Sequence, residues 1–325
     1  MKVSISELKK LSLTPLMASN ITEFDAQIVF NHLLDEELLG KHSHGFIRMP
    51  AVLRTAKSFK NNSSCNIEEP TAFAVRYLFS NTLGLVAGYN TALKACDIAN
   101  EKGIGMASAI GYSGTTGALG YYGRLITERG FIGIISCSSE YAVAPWGGKD
   151  AILGTNPICI AFPNGDNPII VDFATAAMTY GDLMLAVKEG RKVPYGVVLD
   201  AEGNPSQDPD DANNGCQLPM AGHKGYALGL ALEILSGLFI GAKSGKDAVT
   251  GSDGILVLAL KPDMFVNSQV FTDHLSALIN EIKMSALAAE SDGIRIPGEG
   301  AVKKIKEGRE SGFCDVPEAV YKELQ

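Results

Sequence analysis

Gly103-Ile104-Gly105-Met106-Ala107-Ser108-Ala109-Ile110 is the stretch on which the fold turns. It opens like the glycine turn of a dinucleotide-binding unit, yet it runs on as small and apolar residues that read as a buried strand. A phosphate-binding turn must leave a strand and open a helix, because the free amides of a helix N-terminus are what face pyrophosphate. Here the order is reversed. Upstream, Leu85, Tyr89, Ala92, Leu93, Cys96 and Ala99 recur at helical spacing between about Thr82 and Lys102. A helix therefore enters this strand, which excludes a Rossmann turn.

Working outward, Gly117 to Glu128 reads as a helix of small residues and Phe131–Cys137 as a second apolar strand. Further strands are expected at Pro157–Phe162, Ile169–Asp172, Tyr195–Leu199 and Ile255–Leu260, with a helix between the second and third. Tyr226 to Ile240 is a strongly apolar helix, and Asp200 to Gly215 is an acidic loop. This rhythm predicts an α/β sheet with helices on its faces. Towards the amino end, Met1–Leu8 reads as a mixed helix start. Asn20 and Glu23 form the pattern of a capping box opening a helix that stops at Gly40. A short helix from Met49 to about Phe59 precedes a polar linker, Lys60–Ser64. From Asn267 the chain reads as helical, near Asp273–Ala289, Ala301–Arg309 and Pro317–Leu324. The expected organisation is a helical segment over 1–75, an α/β core over 76–265, and a helical segment over 266–325 that packs back on the first.

The chain has 325 residues, more than one core usually serves, and its 46% hydrophobic and 20% charged residues describe a soluble protein. A net charge of -8 argues against nucleic acid as partner. The six cysteines are scattered, without a CxxC pair, and read as buried free thiols. There is no apolar signal core and no run of the roughly 18 apolar residues that a membrane span needs. The expected location is cytoplasmic, away from membranes.

The chemistry concentrates in Lys41-His42-Ser43-His44-Gly45-Phe46-Ile47-Arg48-Met49-Pro50. An imidazole can pass a proton to a carbonyl oxygen near neutral pH, and a guanidinium four residues on can fork onto a carboxylate. Those are the two polar tasks in reducing a 2-oxo acid. The bland alternatives are a surface turn, with Arg48 pinned to Asp35 or Glu36. His32 reads as an ordinary helical side chain. No acidic cluster stands at ligand spacing from the histidines, and no metal is expected. Gly241-Ala242-Lys243-Ser244-Gly245-Lys246-Asp247 is one residue short of a P-loop and follows a helix. Gly222-His223-Lys224-Gly225-Tyr226 heads the apolar helix, as an anion pocket or a plain polar cap. Pro145-Trp146-Gly147-Gly148 and Gly154-Thr155-Asn156-Pro157 are tight turns, suited to wrapping a substrate or turning a corner.

These motifs occur together, in one order. With Asp172-Phe173-Ala174-Thr175, Asp208-Pro209, Leu218-Pro219 and Arg295-Ile296-Pro297-Gly298-Glu299, they resemble the type-2 malate/L-lactate dehydrogenase family over nearly the whole chain. That family includes ureidoglycolate, sulfolactate and 2,3-diketo-L-gulonate oxidoreductases and cyclic imino acid reductases. The resemblance implies a three-layer α/β/α fold with a mixed sheet, a non-Rossmann nucleotide domain, and a homodimer with an intersubunit site. It implies an NAD- or NADP-dependent oxidoreductase acting on a small 2-oxo or 2-hydroxy carboxylate. A cyclic imino acid reductase and a non-catalytic nucleotide-binding relative are the alternatives. By the same resemblance His44 is the proton donor and Arg48 lies beside the substrate carboxylate; Ser43 is read as orienting the imidazole or the substrate, and Thr115, Thr155 and Asn156 as further substrate-lining residues. Ile170, Asp172, Phe173, Ala174, Thr175, Ala176, His223, Lys224, Gly298 and Glu299 line the cofactor. Two departures stand out: Thr115 replaces the family's second active-site histidine, and Ala176 replaces a serine beside the cofactor.

Overall fold

Helix Gly84–Lys102 runs into Gly103, whose φ of 84° suits a residue without a side chain, and the chain reverses there into the strand Ile104–Ile110. The helix-to-strand order read from the sequence thus holds in the computed structural model, which describes residues 1–248 and 251–325. In chain order the first elements are β1 (Lys2–Ser4), α1 (Ile5–Met17), α2 (Glu23–Leu38), α3 (Met49–Ser58), β2 (Ser64–Thr71) and β3 (Ala74–Ser80). Then come α4 (Gly84–Lys102), β4 (Ile104–Ile110), α5 (Leu119–Glu128), β5 (Ile132–Cys137), β6 (Ile158–Phe162), β7 (Ile169–Phe173) and α6 (Tyr180–Glu189). Three two-residue strands follow, β8 (Val198–Leu199), β9 (Pro205–Ser206) and β10 (Cys216–Gln217). The chain ends with α7 (His223–Ser236), β11 (Gly254–Leu260), α8 (Ser268–Lys283), α9 (Ala301–Ser311), β12 (Phe313–Asp315) and α10 (Glu318–Leu324).

The main sheet has the order β2-β3-β4-β11-β5-β6-β7. β3 and β4 are parallel and the other neighbours antiparallel, so the sheet is mixed. Ile255, Val257 and Ala259 of β11 pack with Ala95 and Ala99 of α4 and with Tyr122 and Ile126 of α5. Alternation turns Gly254 to the other face, where a Cβ would lie 2.1 Å from the Ser236 carbonyl oxygen at the end of α7. Helices therefore cover both faces, giving the three-layer α/β/α fold. Full burial of side chains such as Ile135 and Ile255 contributes about 1.5–3 kcal/mol each to this core.

A second core lies under the amino-terminal helices and takes in Leu8, Leu33, Phe46 and Met49. The end of the chain completes it. β12 pairs with β1 (Lys2↔Asp315), Val316 and Val320 join the same core, and Arg309 of α9 bonds Asp35 of α2.

Several local expectations change. The Met1–Leu8 stretch begins as a strand because β12 is there to pair with it. The cap of α2 is Thr22, whose Oγ1 accepts from the Asp25 amide at 3.1 Å; Asn20 sits two residues earlier at φ 60°. β2 and β3 form a hairpin next to the expected linker, and β3 spans the expected boundary at residues 75/76. The strand Tyr195–Leu199 shrinks to β8, and the acidic loop folds partly into β9 and a 3-10 turn, Pro209–Asn213. α7 starts at His223, three residues before Tyr226.

Candidate active site

The loop after α2 is held by what lies beneath it. Lys41 donates its amide to Glu36 O, and two 3-10 turns, His42–His44 and Phe46–Arg48, lead into α3. Glu37, 3% exposed, ties both turns together. Its Oε1 lies 2.5 Å from His42 Nδ1 and its Oε2 accepts from the Phe46 amide at 2.7 Å. A Cβ at Gly45 would fall on that carboxylate, so this position requires glycine. Burial pushes the Glu37 carboxyl up, against the opposing pull of these hydrogen bonds. Phe46 and Met49 are fully buried and anchor the loop to the amino-terminal core.

Ser43, His44 and Arg48 are thereby turned to a cavity of about 880 Å³. Its walls also include Thr115, Thr155, Asp172, Phe173 and Ala174, so residues scattered over the sequence converge here. His44 Nδ1 lies 3.1 Å from Ser43 Oγ, leaving Nε2 without a hydrogen-bond partner among the described residues. Burial, and next the charge of Arg48, lower the His44 pKa, while Glu36 and Asp172 pull it the other way. Arg48 Nε donates to Ser43 O at 2.7 Å, and its two Nη groups have no hydrogen-bond partner among the described residues. The pinning of Arg48 to Asp35 or Glu36 is not found, because Arg309 holds Asp35 and Arg124 holds Glu36.

Behind the loop runs a chain of charges. Glu36 is fully buried and accepts from Arg124 Nη2 at 2.6 Å. Burial pushes its carboxyl up, but Arg124 and next Lys41 hold it below the usual range. Lys41 Nζ stands 3.7 Å from Glu36 and 3.5 Å from Asp172. Asp172 Oδ2 also accepts from the Gly120 amide near the start of α5. His32 is buried against Tyr121, accepts from the Ala118 amide at Nε2, and is pushed by burial to a pKa of about 3. It is a packed, neutral side chain.

Other expected site residues lie off the cavity wall, each for a visible reason. Asn156 is wholly buried, its Nδ2 donating to Gly229 O and Glu233 Oε2, so it braces α7. Ile170 belongs to the sheet core, and Thr175 Oγ1 donates to the carbonyls of Thr155 and Asn156. Ala176 packs in an apolar cluster with Val143 and Leu153, so the lost hydroxyl is not missing from the cavity. His223 and Lys224 are exposed in the first turn of α7, where Trp146 lies over Gly222. Gly298 abuts Ile170, whose amide donates to Pro297 O, and Glu299 is held by Lys283 at 2.6 Å. Thr115 is on the wall, its Oγ1 accepting from the Gly117 amide.

The structure adds wall residues the sequence reading passed over: Lys41, Glu140, Tyr180, Asp182 and Asp253. One of them had a readable signal. Thr179-x-x-Asp182 is a capping pattern, and Thr179 does cap α6, bringing that helix's first turn to the cavity.

A profile of the malate/L-lactate dehydrogenase family matches residues 3–325. The chain belongs to that family. It is 34% identical to a malate/(S)-sulfolactate dehydrogenase of Methanothermus fervidus, over 96% of this chain and 93% of the relative. It is 32% identical to a (2R)-3-sulfolactate dehydrogenase (NADP(+)) of Chromohalobacter salexigens, over 99% and 97%. Among solved structures, the sulfolactate dehydrogenase of Methanocaldococcus jannaschii superposes with a TM-score of 0.88 at 32% identity, over 100% and 95% of the two chains.

Proposed function

We propose that this family member is an NAD(P)H-linked reductase of small 2-oxo acids, working in reverse as a 2-hydroxy acid dehydrogenase. The observation that carries the reading is the pairing, on one cavity wall, of His44 Nε2 with the Arg48 Nη groups, neither of which has a hydrogen-bond partner among the described residues. The cavity fits a nicotinamide ring beside a small acid. At about 880 Å³ it is towards the upper end of ligand sites, and Phe173, Ala174 and Leu119 give it apolar surface next to Ser138 and Thr155. Asp172, Phe173 and Ala174 would hold the ring, and His223, Lys224 and Gly298 remain proposals for the rest of the nucleotide. When bound, the nucleotide supplies the hydride.

The protein's own groups do the rest. Arg48 clamps the carboxylate through its two free Nη groups. His44 gives its Nε2 proton to the substrate oxygen, while Ser43 Oγ receives the opposite ring N–H and fixes the imidazole's orientation. Thr115 stands where the family has a second imidazole, which leaves His44, beside Arg48, as the proposed proton source. The test is loss of NADH or NADPH absorbance on adding pyruvate, oxaloacetate, sulfopyruvate or Δ1-pyrroline-2-carboxylate. Turnover of the imino acid alone would move the assignment to cyclic imino acid reduction. Binding without turnover across the panel would overturn it.

Arg48→Lys should weaken the 2-oxo acid far more than the cofactor. Lys keeps the charge but cannot make the planar fork, and losing part of a partly buried charged contact costs roughly 2 kcal/mol, the low end for such contacts. Michaelis constants for both ligands and the melting temperature decide it. A lower melting temperature with unchanged substrate affinity would remove Arg48 from the site.

The proposal includes a cytoplasmic homodimer. α8 has no buried residue among its sixteen, and Leu235, Leu238 and Phe239 stand exposed at the end of α7. Apolar surface of that extent is covered in most folded chains, and a second copy is the simplest cover. Sedimentation should give twice the chain mass of 34.4 kDa. A stable, fully active monomer would count decisively against it. The cytoplasmic location rests on six unpaired cysteines, five of them buried.

A further inference from the structure

Arg48 reaches the cavity across the first turn of α6, and the fit there leaves no room. A Cβ built on Gly181 would lie 2.4 Å from Arg48 Nη2, 2.8 Å from Ser43 O and 3.1 Å from Ser43 Cβ. Gly181 is buried, and its backbone is helical without a positive φ, so no left-handed angle demands glycine. Helix formation itself would favour alanine. What excludes a side chain is the contact with the loop.

The contact cannot be relieved by a simple swing of Arg48. Its Nε is bonded to Ser43 O at 2.7 Å, and that same carbonyl is the second atom a Cβ would strike. Turning the planar guanidinium away breaks the Nε bond, and keeping the bond forces the Ser43–Arg48 turn to move as a unit. Ser43 also carries the hydroxyl set against His44 Nδ1. The absent side chain at Gly181 therefore bears on the clamp and the imidazole together.

We infer that Gly181 is a positioning residue for the carboxylate clamp: by lacking a side chain it lets α6 close on the Ser43–Arg48 turn and fixes where the Arg48 fork points. This deepens the proposed function and rests on it. Gly181→Ala should raise the Michaelis constant for a 2-oxo acid by about tenfold or more, as expected when a positioning group is displaced by a fraction of an ångström to one ångström. The constant for NADH or NADPH should stay nearly unchanged. Calorimetric titration of oxalate into the NADH-loaded protein gives the same comparison without turnover.

A melting cycle tests the contact independently of function. Gly181→Ala should lower the melting temperature more in the wild-type background than in Arg48→Ala, since residues in contact are energetically coupled. Equal shifts in both backgrounds would overturn the inference. So would coupled melting with unchanged oxalate affinity and Michaelis constant, because Gly181 would then touch Arg48 without placing it. A wild type that turns over no 2-oxo acid would count against the functional reading alone, and the oxalate and melting results would still decide the role of Gly181.

Discussion

Replacing His44 with alanine should lower turnover of a 2-oxo acid by about 10²–10⁴-fold, the usual range for losing a positioned acid, while cofactor binding stays nearly unchanged. The reason is geometric. Two imidazoles line the cavity, and His44 is the one set beside the Arg48 charge and the Ser43 hydroxyl; His42 is half-exposed and tied through Nδ1 to Glu37, and His32 is buried and neutral. The pH dependence has a definite sign. In the free protein, burial and the Arg48 charge lower the His44 pKa, so the imidazolium that reduction consumes is lost as pH rises through that lowered value. The kcat/KM of reduction should therefore fall with rising pH from below the ordinary histidine range, and that of oxidation should rise. A carboxylate on Arg48 offsets the positive charge that helped lower the pKa. In the ternary complex the fall in kcat should accordingly come at higher pH than the fall in kcat/KM. Stopped-flow reduction across the pH range reads both. A His44→Ala variant with most of its activity, or coincident profiles, would place the proton elsewhere.

Much of this was legible because the telling residues are local in sequence. The glycine at 103 announced a helix turning into a strand, and β4, β5, β6, β7 and β11 fall where continuous apolar runs were read. β2 escaped because it is exposed along its length, with Glu68, Glu69 and Pro70 in it, so no alternation marks it. Its place as an edge strand is set by pairing with β3 and by Arg76 bonding to Glu68 across the hairpin. In the site, the loop at 41–50 was readable and its supports were not. Glu36 and Arg124 meet across 88 residues, and nothing in either local pattern points to the other. Asn156 lies off the cavity wall for a similar reason. A polar residue in a tight turn looks like a ligand contact until Gly229 and Glu233 of α7 are seen to use its amide.

The Glu36–Arg124 pair also gives the largest expected change in stability. Arg124→Leu should cost about 3–5 kcal/mol at neutral pH, because it leaves a buried carboxylate without the cation that neutralises it. Against a typical total of roughly 5–15 kcal/mol, that is a large share of the fold's margin. In the wild type the Glu36 pKa lies below its usual value despite burial, so the pair's stabilisation is present above that usual value and is lost as pH falls through the lowered one. In the variant burial is left opposed chiefly by Lys41, which stands 3.7 Å away and is itself partly exposed. The Glu36 pKa then rises, and the protein regains stability as acid supplies the proton. The two signs are opposite, so the deficit should shrink as pH falls. Adding Glu36→Leu to Arg124→Leu should recover much of the loss at neutral pH, since it removes the uncompensated charge. Urea midpoints for the three proteins at neutral and acidic pH decide the matter. A deficit that is independent of pH, or a double variant no better than the single one, would mean that Arg124 acts by packing against Tyr121 and not by its charge.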